Sequence, residues 1–152
     1  MIDLNLDLNE GEWFQFFGSH IEPNGEIVYE EPVSDARVQI RSIAPLLQER
    51  FAKRKKSVEH VYNPKTMGME RVSFFPDPKP EELQAERDDV WDYAIVAFEN
   101  FREKKTGELI SCTRENKLKM MKVPVFDRFV ARCQQLLSDS SIRDREVAEK
   151  NL

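Results

Sequence analysis

The sequence predicts an α+β fold in a single domain, with a β-rich N-terminal half built of hairpins and a C-terminal group of three to four helices. The length of 152 residues suits one domain. Residues 1–75 hold a series of short β-prone segments, and residues 81–138 show apolar spacing typical of helices. Three prolines in residues 76–80 predict a stiff connector between the halves. Residues 139–152 predict a polar tail or a short terminal helix.

The first part of the chain shows strand patterns. Residues 1–12 alternate apolar residues with acids or amides, which fits either an extended segment or a mobile arm. The aromatic run at residues 13–17 is β-prone, and the turn signal at residues 23–25 separates it from the β-prone residues 26–29. These two runs therefore predict a hairpin. Residues 37–41 alternate cleanly and predict a third strand.

A helix and a second hairpin complete the first half. Ser42 is a candidate N-cap for a helix whose apolar residues share one face, namely Ile43, Leu46, Leu47 and Phe51. Residues 57–62 and 69–74 predict two strands, joined by a loop rich in turn residues at positions 63–68.

Three helices are predicted in the second half. Acids at positions 81 and 82 favour a helix start, and apolar residues spaced along one face from Leu83 to Phe101 predict its length. Basic residues and a glycine at 104–107 predict its end. Thr113 is a candidate N-cap for a helix over residues 114–122. The clearest amphipathic helix follows Pro124, and a break is expected at residues 138–141. Its apolar residues are Phe126, Phe129, Val130, Cys133, Leu136 and Leu137.

The charged residues occur in alternating blocks, which the net charge of −5 conceals. Residues 1–36 have nine acids and no base, and residues 37–72 have nine bases and three acids. Residues 73–100 have two bases and eight acids, and residues 101–134 have nine bases and four acids. We expect part of this charge to cancel between packed elements. The charge that stays exposed predicts a protein-binding rim and not a catalytic site.

The composition argues against a membrane or secreted protein. No stretch approaches the ~18–20 consecutive apolar residues of a membrane helix. The N-terminus lacks the basic start, apolar region and cleavage site of a secretory signal. We therefore expect a soluble, cytoplasmic protein, in which Cys112 and Cys133 are buried small hydrophobes and not a disulfide.

The sequence shows no signature of an enzyme, so we expect no catalytic residue, no cofactor and no metal. The five glycines are scattered and form no phosphate-binding loop. His20, His60 and the two cysteines lie too far apart for a typical metal-ligand spacing. Asp88 and Asp92 could share a divalent cation, but a solvated acidic helix face is the expected arrangement.

The strongest single charge feature is the basic cluster at residues 50–56, where five of seven residues are Arg or Lys. Such a cluster could follow a phosphate backbone, and the aromatic residues at 13–17 could stack on bases. Yet the isoelectric point is near 5.2, whereas nucleic-acid-binding domains usually exceed about 9. Cations are also favoured at a helix C-terminus. Binding of nucleic acid is therefore the less favoured interpretation.

A succession of short motifs runs through residues 88–152. The motifs are Asp92-Tyr93-Ala94-Ile95, Glu99-Asn100-Phe101, Gly107, Ile110-Ser111-Cys112-Thr113-Arg114-Glu115-Asn116-Lys117, Phe126 to Phe129, and Glu149-Lys150-Asn151-Leu152. Together they resemble the tail assembly chaperone proteins of tailed phages and prophages. Phe98 departs from the pattern, since related sequences tend to have tryptophan before the acid–asparagine step.

The resemblance implies a non-catalytic protein of the bacterial host cytoplasm that binds the tape-measure protein and keeps it soluble while the tail tube assembles. The tail tube protein is a second candidate partner, and association of the chain into a homo-oligomer is an alternative that stays open. A long, helical, partly apolar partner requires apolar anchors with charged rims. The residues expected to supply them are Arg114, Lys117, Lys119, Lys122, Phe126 and Phe129.

Three alternatives stay open. The chain could be a structural tail component, such as a terminator or connector subunit. It could be a nucleic-acid-binding regulator that uses residues 50–56, or a small metal-dependent hydrolase that uses Asp88 and Asp92.

Overall fold

A computed structural model describes residues 1–3 and 10–150, with side chains up to residue 139. Within these residues the fold is α+β, as predicted, with seven strands in small antiparallel sheets and four helices mostly in the C-terminal half. The chain divides into two compact units, one of residues 1–43 and 88–152 and the other of residues 44–87. The expectation of one folding domain stays a prediction.

The first unit contains a three-stranded antiparallel sheet with β1 (Glu12–Gln15), β4 (Arg37–Ile40) and β7 (Ile95–Glu99), in the order β1-β4-β7. The central strand β4 is the third strand that the alternating sequence predicts. Its Val38 and Ile40 are fully buried, while the intervening side chains face away from the core.

The first hairpin uses a different strand from the one predicted. β2 (Ser19–Ile21) pairs with β3 (Ile27–Tyr29), whereas residues 13–17, expected in this hairpin, contribute β1, which pairs with β4. The predicted turn at residues 23–25 is present between β2 and β3, where Gly25 has a φ of +89° and donates its N–H to the Glu22 carbonyl at 2.8 Å. Phe16 and Phe17 turn into the core, so the aromatic run does not continue as a strand.

Helix α2 (Pro80–Ala94) ends earlier than the stripe of apolar residues predicts. Residues 95–99 form β7 instead, and the basic residues expected to end the helix lie in a turn where Gly107 donates to the Glu103 carbonyl at 2.8 Å. The run Ala-Ile-Val-Ala-Phe at residues 94–98 is apolar throughout, so periodicity alone cannot separate strand from helix. Pairing with β4 decides in favour of the strand.

Two further helices follow. α3 (Arg114–Met121) begins as predicted, because the Thr113 hydroxyl accepts a hydrogen bond from the Asn116 N–H at 3.2 Å. α4 (Pro124–Lys150) begins at the predicted proline and continues without the expected break at residues 138–141. The polar residues there are only mildly unfavourable in a helix, by at most about 0.7 kcal/mol each. Residues 151 and 152 of the predicted tail lie outside the described residues.

The core of the first unit lies between α4 and the sheet. On α4 the buried side chains are Phe126, Phe129, Val130, Cys133 and Leu137, and they pack with Val38, Ile40, Ile95 and Phe98 of the strands. Aromatic rings fill its centre, since the Phe129 centroid lies 5.0 Å from that of Phe16 and 4.9 Å from that of Phe17. No helix in the described residues, α4 included, is long and apolar enough to cross a membrane.

The second unit contains α1 (Ala44–Ala52), the predicted second hairpin, β5 (Ser57–Asn63) with β6 (Gly68–Phe74), and the first half of α2. Residues 44–87 are all described, and none of their side chains is buried. The Phe51 and Phe75 rings lie 6.4 Å apart, and the Arg54 guanidinium lies 4.6 Å from the Phe75 ring. A two-stranded hairpin and short helical segments offer each other little apolar surface, which explains the missing core.

Candidate functional site

Two of the predicted partner-binding cations lie in a cluster of charges between α2 and α3. Arg114 donates from Nη2 to Asp89 Oδ1 at 2.8 Å and from Nη1 to Asp92 Oδ2 at 3.2 Å. Lys117 Nζ donates to the Asp92 carboxylate and carbonyl, each at 3.2 Å. The Lys117 side chain is only 12% exposed. Arg114 and Lys117 therefore attach α3 to α2 within the chain.

Asp92 is the electrostatic centre of this cluster. Burial alone would raise the pKa of Asp92, but hydrogen bonds and charge from Lys117 and then Arg114 hold this pKa below its ordinary value. The hydrogen bond to Asp89 raises the pKa of Arg114. Asp92 thus bonds cations of the chain itself. Within the described residues, no group of three His, Cys, Asp or Glu side chains could hold a metal ion.

The other two predicted cations face solvent at the end of α3. Lys119 pairs with Glu115 at 3.0 Å, and both side chains are well exposed. Lys122 is the C-cap residue of α3 and is exposed, and the neighbouring Val123 is 48% exposed. Lys119, Lys122 and Val123 form what we call the α3 edge, an apolar side chain beside two cations.

The structure places the two predicted aromatic contact residues inside the protein. Phe126 is 3% exposed and Phe129 is 1% exposed, and both rings pack against Phe16. They hold α4 against the sheet, so contact of either ring with a partner requires the core to open.

The two cysteines differ in environment. Cys133 is buried, as predicted, and burial raises the pKa of its thiol to about 12. Cys112 is exposed, so its predicted burial is wrong. It lies in the extended segment before Thr113, where neighbouring Ile110 is partly buried and Cys112 is not. Among the described residues, neither thiol belongs to a group of three or more His, Cys, Asp or Glu side chains that could hold a metal ion.

Two cations of the basic cluster at residues 50–56 have partners within their own unit. Lys53 pairs with Glu49 at 2.6 Å, and Arg50 donates to the Glu86 carbonyl at 3.1 Å. The aromatic run at residues 13–17 forms no stacking platform, because Phe14, Phe16 and Phe17 pack against the core. Trp13 is covered on one side by the Arg37 guanidinium, 4.2 Å from the ring.

The β2–β3 hairpin holds a histidine site that the sequence patterns do not reveal. His20 Nε2 lies 2.9 Å from Glu22 Oε1, and Nδ1 lies 3.1 Å from Glu30 Oε1. Hydrogen bonds to Glu22 and then Glu30 raise the pKa of His20. Glu22 follows β2 two residues after His20, which is the only local signal; Glu30 follows β3 and comes close to His20 because the two strands pair.

We expect the hairpin to be more stable in mildly acidic than in alkaline solution. Because the folded-state pKa of His20 is raised, its stabilisation is complete below its ordinary pKa of about 6.5 and is lost as the pH rises through the folded-state pKa. Hydrogen exchange of the β2 and β3 amides across this range measures the effect. The His20→Gln variant keeps hydrogen-bonding groups but does not titrate, so equal pH dependence in both proteins would contradict the assignment.

Comparison with models of protein families, with curated proteins and with solved structures gives no match. The fold and the charged sites nevertheless define a class: an α+β protein with an aromatic core and a cationic helix edge at its surface.

Proposed function

We propose that this chain is a non-catalytic assembly protein of phage or prophage tails, which binds the tape-measure protein and assists assembly of the tail tube. The resemblance of residues 88–152 supplies the biological setting. The observation that supports the binding function is the α3 edge, where Lys119, Lys122 and Val123 are exposed at the end of a helix fixed on its other side.

The α3 edge is held in place from two directions. Met120 and Met121 are buried in the core, and Arg114 and Lys117 attach the start of the helix to α2. A surface that is already ordered loses little conformational entropy when a partner binds. The cations attract a partner with acidic side chains, and Val123 offers an apolar contact beside them. A long amphipathic helix with acids beside its apolar stripe has this chemistry.

Capture of the tape-measure protein in a pull-down tests the proposal. Reversing the two exposed cations, in Lys119→Glu/Lys122→Glu, is expected to weaken binding by at least about tenfold, which corresponds to ~1.4 kcal/mol. This variant spares Arg114 and Lys117, whose replacement would also break the ion pairs to α2.

The matched control is Lys104→Glu/Lys105→Glu, which makes the same charge change at exposed positions in the 103–108 turn. It is expected to bind like the wild-type protein. Equal binding by both variants and the wild type would overturn the proposal. Purified tails separate it from the structural alternative, since an assembly protein is absent from mature particles and a terminator or connector subunit is present in fixed copy number.

A further inference from the structure

The β5–β6 hairpin has two faces of opposite charge. Its strands pair in register from Ser57 opposite Phe74 to Asn63 opposite Gly68. Residues that lie opposite each other share a face, and successive residues alternate between faces. One face, here the acidic face, carries Glu59, Val61, Glu70, Val72 and Phe74. The other, the basic face, carries Val58, His60, Tyr62, Met69 and Arg71.

Both faces expose apolar side chains. The acidic face leaves Val61 44%, Val72 41% and Phe74 38% exposed, and the basic face leaves Val58 45%, Tyr62 55% and Met69 65% exposed. A two-stranded hairpin is at best marginally stable in water when neither face is covered. Residues 44–87, all described, supply no buried side chain of their own. Binding of a partner to either face would therefore stabilise the hairpin.

The charges on the two faces are complementary. The acidic face has two carboxylates and no base, and the basic face has Arg71 directly opposite His60 and no acid. Lys56 and Phe75 lie just beyond the ends of the strands, with the Lys56 Nζ 5.5 Å from the Phe75 ring. They continue the basic and apolar character at this end of the hairpin.

We propose that the hairpin stacks on the hairpin of a second copy of this chain, with the acidic face of one copy against the basic face of the next. Such a contact joins two different surfaces and leaves one face free on each outer copy, so the association is open-ended. Seven-residue strands give a face only about 24 Å long and two strands wide. It buries much less area than a standard interface of about 1,600 Å² in total, so the association is weak and depends on concentration.

Nucleic acid is the competing occupant of the basic face. Tyr62 and Arg71 could stack on bases, as in single-strand-binding proteins. Nucleic acid on the basic face would leave the acidic face uncovered, although the acidic face exposes as many apolar side chains as the basic face does. A second copy covers both faces with one kind of contact. Neither the α3 edge nor the tape-measure protein takes part in this contact.

Sedimentation of the full chain over a range of concentrations tests the proposal. The average mass of the wild-type protein is expected to rise above the monomer mass of 17.9 kDa with concentration and to fall towards it with added salt. The variants Glu59→Lys/Glu70→Lys and His60→Glu/Arg71→Glu are each expected to stay monomeric. An equimolar mixture of the two is expected to associate again, because opposite charges then face each other between copies.

This rescue separates loss of the contact from loss of the fold, since an unfolded hairpin would not regain its partner on mixing. The control Glu81→Lys/Glu86→Lys makes the same charge change as Glu59→Lys/Glu70→Lys outside the hairpin and is expected to associate like the wild type. A monomeric wild-type protein at every concentration, or a mixture that stays monomeric, overturns the proposal. A different pair of results would assign the basic face to nucleic acid instead. The wild-type protein would stay monomeric and bind a labelled single-stranded oligonucleotide, and His60→Glu/Arg71→Glu would abolish that binding.

Discussion

Replacing Phe129 with alanine is expected to lower the free energy of unfolding by about 3–5 kcal/mol. The side chain is 1% exposed, and its ring contacts those of Phe16, Phe17 and Phe126. Removal of the ring leaves a cavity between α4 and the sheet that neighbouring rings cannot fill without leaving their own contacts. Because small domains are stable by only about 5–15 kcal/mol, the loss is a large fraction of the total.

Urea denaturation of the purified chain measures this loss. The matched control is Phe51→Ala, which makes the same chemical change at a ring that is 67% exposed in residues 44–87. It is expected to change the stability by less than about 1 kcal/mol. Similar losses for the two variants would show that Phe129 is not the centre of the core.

Replacing Asp92 with asparagine is expected to cost about 1–3 kcal/mol, because the nearly buried ammonium of Lys117 then loses its carboxylate partner. Asp89→Asn removes a carboxylate that is 52% exposed and contacts Arg114 at the surface. It is expected to cost less than about 1 kcal/mol. Both variants make the same chemical change on one helix, so their difference measures the contribution of the Lys117 contact.

The Asp92 effect also has a defined pH dependence. Because the folded-state pKa of Asp92 is lowered, its stabilisation is present above its ordinary pKa of about 3.9 and is lost as the pH falls through the folded-state pKa. The stability difference between wild type and Asp92→Asn is therefore expected to shrink in acid. Chemical denaturation at neutral and acidic pH measures it, and a difference that grows in acid would contradict the assignment.

Several elements could be predicted because their signals are local. Thr113 starts α3 through a hydrogen bond three residues along the chain, and Pro124 starts α4. The β5–β6 hairpin forms across one short loop, as its turn residues indicate. The errors in strand assignment concern distant partners: β1 pairs with β4, and residues 95–99 form a strand because β4 is available to them.

The charges of the candidate site could also be predicted only in part. The blocks of alternating charge predict that charges cancel between packed elements, and ion pairs of Arg37 with Glu99 and of Arg114 with Asp89 confirm it. Which cations are used inside the chain could not be predicted. Arg114 and Lys119 both lie on α3, yet the first bonds to α2 and the second faces solvent, because only some positions on α3 face α2.

The sequence by itself determined the α+β class, the starts of α3 and α4 and the blocks of charge, because periodicity, capping and turn chemistry act over a few residues. Only the tertiary structure decided that Phe126 and Phe129 lie in the core, that Arg114 and Lys117 are paired within the chain, and that Lys119, Lys122 and Val123 stay exposed. Burial and ion pairing depend on which elements meet, and that depends on the whole chain.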